Sequence, residues 1–141
     1  MDFKKLFGTN KSKEHEGAWV PIGGGVEVKV KRAGMGNKPF EFERSKMFRP
    51  FHKQIQSGTI DPDSLRDINI ALFSRHIIVD WKGVTEDGVK VPFSVEKFKE
   101  YANLCPDFLH EVIVAASEQQ NFQDAEDEEL IKKPAGSTAI G

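Results

Sequence analysis

Four histidines and one cysteine are the side chains best suited to metal or nucleophilic chemistry in this 141-residue chain. A zinc site needs four converging ligands, commonly arranged in close pairs. His15, His52, His76 and His110 are scattered, and the interval from Cys105 to His110 is not a recognised zinc spacing. Cys105 lacks a nucleophile signature and precedes Pro106, which places it at a helix start or in the interior. The glycines at 23–25, 34 and 36 invite a phosphate-loop reading. Neither group ends in Gly-Lys-Ser/Thr or shows dinucleotide-loop spacing, so both read as turns. Carboxylates fall in helix starts such as Asp61 and Asp63 or in the acidic run Asp124–Glu129. A catalytic pair needs environments that split its pKa values, and a solvated run provides none. The expectation is a protein with no catalytic residue, metal or cofactor.

The remaining chemistry is binding. Lys29, Lys31, Arg32, Lys38, Arg44, Lys46, Arg49 and Lys53 interleave with Phe40, Phe42, Phe48 and Phe51. Cations gain affinity for phosphates by releasing counterions, and aromatic rings stack on unpaired bases. A basic, aromatic nucleic-acid-binding module is therefore an alternative reading. The phenylalanine spacing equally fits the inner face of a helix, and no nucleic-acid fold signature accompanies it.

The elements that carry these residues follow from periodicity. Ala18–Ile22 is a short strand, and Val26-Glu27-Val28-Lys29-Val30-Lys31 alternates as a half-buried strand, the two forming a hairpin around Gly23–Gly25. From Pro39 the period becomes helical: Phe40, Arg44, Phe48, Phe51 and Ile55 share a face, with a break at Pro50 and an end at Gly58. Asp61, Pro62 and Asp63 start a second helix. It is read through Leu65, Ile68, Leu72 and Phe73 to Trp81, with an apolar surface wide enough for burial on two sides or for an interface. Asp87-Gly88 marks a tight hairpin between valines. Ser94 caps the next helix, with Phe93 poised against Phe98 and an inner face of Val95, Phe98 and Ala102. Pro106 starts a last helix, in which Phe108, Val112, Ala115 and Phe122 recur.

The predicted fold class is mainly α with a small β element (α+β). Residues 1–16 form a flexible lead-in, 17–122 a single helical domain, and 123–141 a disordered acidic tail. The most apolar stretch, Ile68–Trp81, is interrupted by Asn69, Ser74, Arg75, His76 and Asp80, so no transmembrane helix is expected. The opening Met1-Asp2-Phe3-Lys4-Lys5-Leu6-Phe7 lacks the pattern of a secretory signal, and a lone cysteine suits a reducing compartment. The net charge of −2 conceals an asymmetry: residues 1–53 carry 12 Lys/Arg against 6 Asp/Glu, and the remainder carries 8 against 16. Such halves attract each other head to tail, or present one sign to a charged partner.

The run Trp81-Lys82-Gly83-Val84, the Asp87-Gly88 turn, Val91-Pro92-Phe93-Ser94, the helix start at Pro106, Val112–Ala116 and the final Phe122 resemble the tail assembly chaperones of long-tailed, non-contractile bacteriophages. The opening Gly17-Ala18-Trp19-Val20 and the basic strand Val28–Arg32 extend the resemblance to about two-thirds of the chain. Trp81, Gly83, Gly88, Pro92, Phe93, Phe98, Phe108, Val112 and Phe122 form a packing and turn signature with no catalytic member. The resemblance implies a non-enzymatic protein of the infected host cytoplasm, absent from the finished virion. Such a protein binds the tape measure protein, keeps it soluble and recruits the tail tube protein. It also implies self-association into a spiral, and a longer frameshifted product that a slippery run encoding Ile131-Lys132-Lys133-Pro134 would allow. Phe40, Phe48, Phe51, Leu65, Ile68, Leu72, Phe73 and Trp81 are the candidate client or self-association surface. A structural tail subunit is the other alternative.

Overall fold

The computed structural model describes residues 2–34 and 36–124. Alternation in Val26-Glu27-Val28-Lys29-Val30 sends every second side chain to one face, and Val28 and Val30 are fully buried. This strand, β2 (Val26–Val30), pairs antiparallel with β1 (Ala18–Gly23) across the turn at Gly24 and Gly25. Its other edge carries β3 (Ile78–Lys82), which makes β2 the centre of a three-stranded sheet.

The third strand corrects the expected helix from Leu65 to Trp81. Helix α5 (Pro62–His76) stops at Ile77, and the chain continues as β3. Ile77, Ile78 and Val79 are β-branched, so they lose χ1 freedom in a helix and pack well on a pleated surface. The free edge of β2 supplies the backbone partners. A short apolar run does not distinguish helix from strand by its period, which is why the boundary is misread.

The other helices follow their local signals. Asn37 caps α3 (Lys38–Phe48), its side-chain oxygen accepting from the Phe40 amide at 3.2 Å. Pro50 interrupts the helix, and a 3-10 turn (Arg49–Phe51) joins α3 to α4 (His52–Ser57). Asp61 stands before α5 without capping it; its carboxylate instead accepts from the Ser64 hydroxyl at 3.4 Å. Asp87 and Gly88 both take positive φ, 52° and 78°, turning β4 (Thr85–Glu86) into β5 (Val89–Lys90). Ser94 accepts from the Lys97 amide at 3.1 Å and caps α6 (Val95–Leu104). Phe98 and Ala102 are fully buried, whereas Val95, expected on the inner face, is exposed. Helix α7 (Pro106–Ser117) ends before Glu118, so Phe122 enters the core from a separate 3-10 turn (Gln119–Phe122). The core lies between the sheet and α5, α6 and α7, around Leu72, Ile77, Phe98, Val112 and Phe122.

The expected flexible lead-in is corrected too. It contains α1 (Phe3–Phe7) and α2 (Lys11–Glu16), both tied to the far end of the chain. The Asn10 amide donates to the Phe122 carbonyl at 2.7 Å, and Lys13 Nζ donates to the Gln123 carbonyl at 2.7 Å. The Gln123 side chain, 2% exposed, donates to the carbonyls of Leu6 and Gly8, both at 3.2 Å. Gln123 therefore belongs to the fold and not to a tail; residues 125–141 of the expected tail lie outside the described residues.

Arg32 fastens α2 to the sheet through a 2.7 Å ion pair with Glu14. Burial pushes the Glu14 carboxyl up, but hydrogen bonds from Arg32, Lys11 and Thr9 outweigh it and hold the group below its ordinary value. The contribution is whole above the unfolded value near 4.5 and is lost as pH falls through the lower folded value. The stability gap between the wild type and Glu14→Gln is expected to narrow between about pH 7 and about pH 3, read from urea midpoints. A gap that does not change over that range would remove the pair from the acid response.

Candidate interaction surface

Exposed and half-buried apolar side chains converge where α3 and α4 meet the start of α5. Phe48, Ile55, Ile60 and Leu65 line an open groove of about 620 Å³, and Arg44, Arg49 and His52 stand at its rim. Pro50 splits the helix here, and residues from both pieces, Arg44 and Phe48 of α3 and Ile55 of α4, line the groove with Leu65 of α5. Ile55 and Leu65 are 44% and 38% exposed, which is where apolar side chains are costly unless covered. The Arg44 guanidinium lies 5.5 Å from the centre of the Phe48 ring, so the rim is basic and the floor apolar.

Contacts at the other end of α3 hold this arrangement. Phe40 packs edge-on against Phe73 with ring centres 5.7 Å apart. Glu43 lies 2.9 Å from Arg75 Nη1 and 3.3 Å from His76 Nε2, bridging α3 to the end of α5. The hydrogen bond from Arg75 holds the Glu43 carboxyl below its usual range.

The eight residues proposed as a client or association surface therefore divide. Phe40, Ile68, Leu72, Phe73 and Trp81 are buried within the core, which corrects their assignment to a surface. Leu65 is exposed, and Phe48 and Phe51 are half-buried, with Phe48 and Leu65 in the groove. Sequence reasoning passed over Ile60, an isolated apolar residue between the breaks at Gly58 and Asp61-Pro62; its only signal is that a lone isoleucine in a turn needs a partner.

Of the signature residues, Phe98, Val112 and Phe122 are fully buried, Phe93 and Phe108 half-buried, and Gly83, Gly88 and Pro92 exposed. Trp81 gathers them. Its ring stacks on Tyr101 at 5.8 Å and meets Phe93 and Phe108 edge-on at 5.1 and 6.3 Å. Its Nε1–H donates to the Val91 carbonyl at 2.8 Å, fastening the β4–β5 hairpin to the sheet. Phe93, expected against Phe98, rests on Trp81.

Of the basic residues, Arg32 is engaged by Glu14 and Arg44 covers Phe48. Phe42 is 76% exposed on α3, outside the groove lining. Cys105 is exposed at the junction of α6 and α7. Among the described residues no three His, Cys, Asp or Glu side chains are placed to hold a metal ion, and no helix is long and apolar enough to cross a membrane.

A family model described as "YdaY prophage protein" matches residues 35–133, well over half of the chain. No curated protein and no solved structure matches the chain. The matched segment begins just before α3 and contains the whole of the apolar groove and the Trp81 cluster.

Proposed function

The chain belongs to the YdaY prophage protein family and is phage-derived, and on that premise we propose that it is a non-enzymatic tail assembly chaperone. In this reading it binds the tape measure protein in the infected host cytoplasm, keeps it soluble and recruits the tail tube protein, and it does not enter the virion. The carrying observation is the groove of Phe48, Ile55, Ile60 and Leu65 with its basic rim. An amphipathic client helix lays its apolar face into such a groove and its acidic side chains against Arg44 and Arg49. A long helical client offers that motif many times, so modest individual affinities multiply into firm capture. The resemblance of Trp81–Phe122 to tail assembly chaperones supports the same reading.

The test is co-expression with the tape measure protein, with nuclease present during capture. Ile55→Glu/Leu65→Glu places two carboxylates in the groove at exposed positions, so the fold is retained. Two apolar side chains contribute about 1.5–3 kcal/mol each when covered, so capture should fall by more than about tenfold and the client should precipitate. Undiminished capture by the variant would overturn the groove assignment. Binding abolished by nuclease alone would favour the nucleic-acid reading, and the chain's presence in purified virions would favour a structural subunit.

A further inference from the structure

Helix α1 presents an apolar and basic surface that none of the described residues covers. Phe3 and Phe7, one turn apart, are 73% and 57% exposed, and their rings touch at 5.1 Å. Lys4 and Lys5 lie between them, and α1 contains no acidic residue. A pair of bare phenylalanines flanked by lysines calls for an apolar groove with an acidic rim.

The same chain carries one. A second groove of about 380 Å³ opens between the β1–β2 turn, the β4–β5 hairpin and the start of α7. Ile22, Val26, Val84 and Phe108 give it an apolar floor, Asp107 and Glu111 stand exposed on its α7 side, and among the described residues no lysine or arginine lines it. Its charge is thus opposite to that of α1, and opposite to that of the arginine-rimmed groove.

The two surfaces cannot meet within one molecule. Gln119 and Gln123, beyond the C-terminal end of α7, both donate to the Leu6 carbonyl at 3.2 Å and hold α1 there. The acidic groove lies at the N-terminal end of α7, around Phe108. From Phe108 to Ser117 the helix rises about 14 Å, so it keeps knob and groove apart.

We propose that α1 of one copy docks through Phe3 and Phe7 into the Ile22–Val84–Phe108 groove of the next, with Lys4 and Lys5 facing Asp107 and Glu111. The contact joins different surfaces of identical chains, so it propagates head to tail into a ring or an open helical array. It gives the charge asymmetry of the sequence a location, and it leaves the client groove uncovered. The contact involves no client, so it is tested without one, and its failure leaves the client reading standing.

Sedimentation of the full chain at low salt should show concentration-dependent assembly beyond a dimer. Lys4→Glu/Lys5→Glu and Asp107→Lys/Glu111→Lys should each weaken it by more than tenfold, and an equimolar mixture of the two variants should restore assembly beyond a dimer, because in alternating copies every knob meets a groove of opposite charge. Placement is read separately with the native thiol. Wild-type chain, whose single cysteine is Cys105, is mixed with an Asp2→Cys/Cys105→Ser chain and treated with a short bismaleimide. The mixed dimer should exceed either homodimer, because the new thiol beside Phe3 meets Cys105 at the groove of the neighbour. Circular dichroism melting of each variant confirms that it is folded. A chain that remains monomeric at high concentration and low salt, an assembly indifferent to both charge reversals, or homodimers alone in the cross-link would overturn the proposal.

Discussion

Trp81→Ala is expected to lower the unfolding free energy by about 3–5 kcal/mol, the range for deleting a large buried aromatic side chain. Trp81 is 5% exposed, and it is the ring on which Phe93, Tyr101 and Phe108 converge from three different elements. Truncation opens a cavity at that junction and strands the Val91 carbonyl that its indole N–H satisfies. Domains of ordinary size are stable by about 5–15 kcal/mol, so the change consumes a large share of the total. Trp81→Phe separates the two causes: it keeps an aromatic ring but loses the donor, at about 1–3 kcal/mol for the unpaired carbonyl. Urea midpoints at unchanged slope would report both. A wild-type midpoint for Trp81→Ala would mean that the hairpin does not depend on this residue.

Much of this fold is legible because local and tertiary preferences agree. The alternation of Val26–Val30, the caps at Asn37 and Ser94 and the Asp87-Gly88 turn each depend on a few neighbouring residues. Reading fails where distant segments decide. Ile78–Lys82 is a strand because β2, some fifty residues earlier, offers it a ladder, and nothing in its own period announces that. The first sixteen residues look polar and loose, yet α1 and α2 are held by Phe122 and Gln123 at the other end of the described chain. A glutamine is rarely a core residue, so its burial at position 123 carries no sequence signal.

The candidate site shows the same division. Phe48 and Leu65 are recognisable as apolar side chains on helical faces, but periodicity gives the direction of a side chain and not what covers it. Phe40, Ile68, Leu72 and Phe73 satisfy the same pattern and are buried because the sheet and the neighbouring helices close over them. The groove is built from residues on both sides of the break at Pro50, with Ile60 and Leu65 opposite them. Charge counting, by contrast, is informative at long range. The basic first third and the acidic remainder are visible without coordinates, and the fold then places Lys4 and Lys5 at one end of α7 and Asp107 and Glu111 at the other.

Gly83→Ala should be nearly as damaging as the loss of Trp81, for a reason of backbone geometry. Gly83 has φ of +77°, a conformation that costs a side-chain-bearing residue about 1–3 kcal/mol. A Cβ there would also stand 2.1 Å from the Gly25 carbonyl oxygen, at the turn between β1 and β2. That atom belongs to backbone and cannot swing aside, so either the β1–β2 turn or the exit from β3 must move. Movement of β3 shifts Trp81, two residues away, out of its aromatic seat. Gly88 supplies the control: its φ is +78°, yet a Cβ there meets nothing within 4 Å. Gly88→Ala therefore carries the conformational cost alone, and Gly88→Asn less still, since asparagine tolerates the left-handed region. Gly83→Asn gains no such relief, because the obstruction is steric. The expected order of urea midpoints is wild type, Gly88→Asn, Gly88→Ala and then both Gly83 variants, with Gly83→Ala also altering the tryptophan emission. Equal losses at the two glycines would show that the Gly25 contact relaxes at no cost and that φ alone sets the penalty.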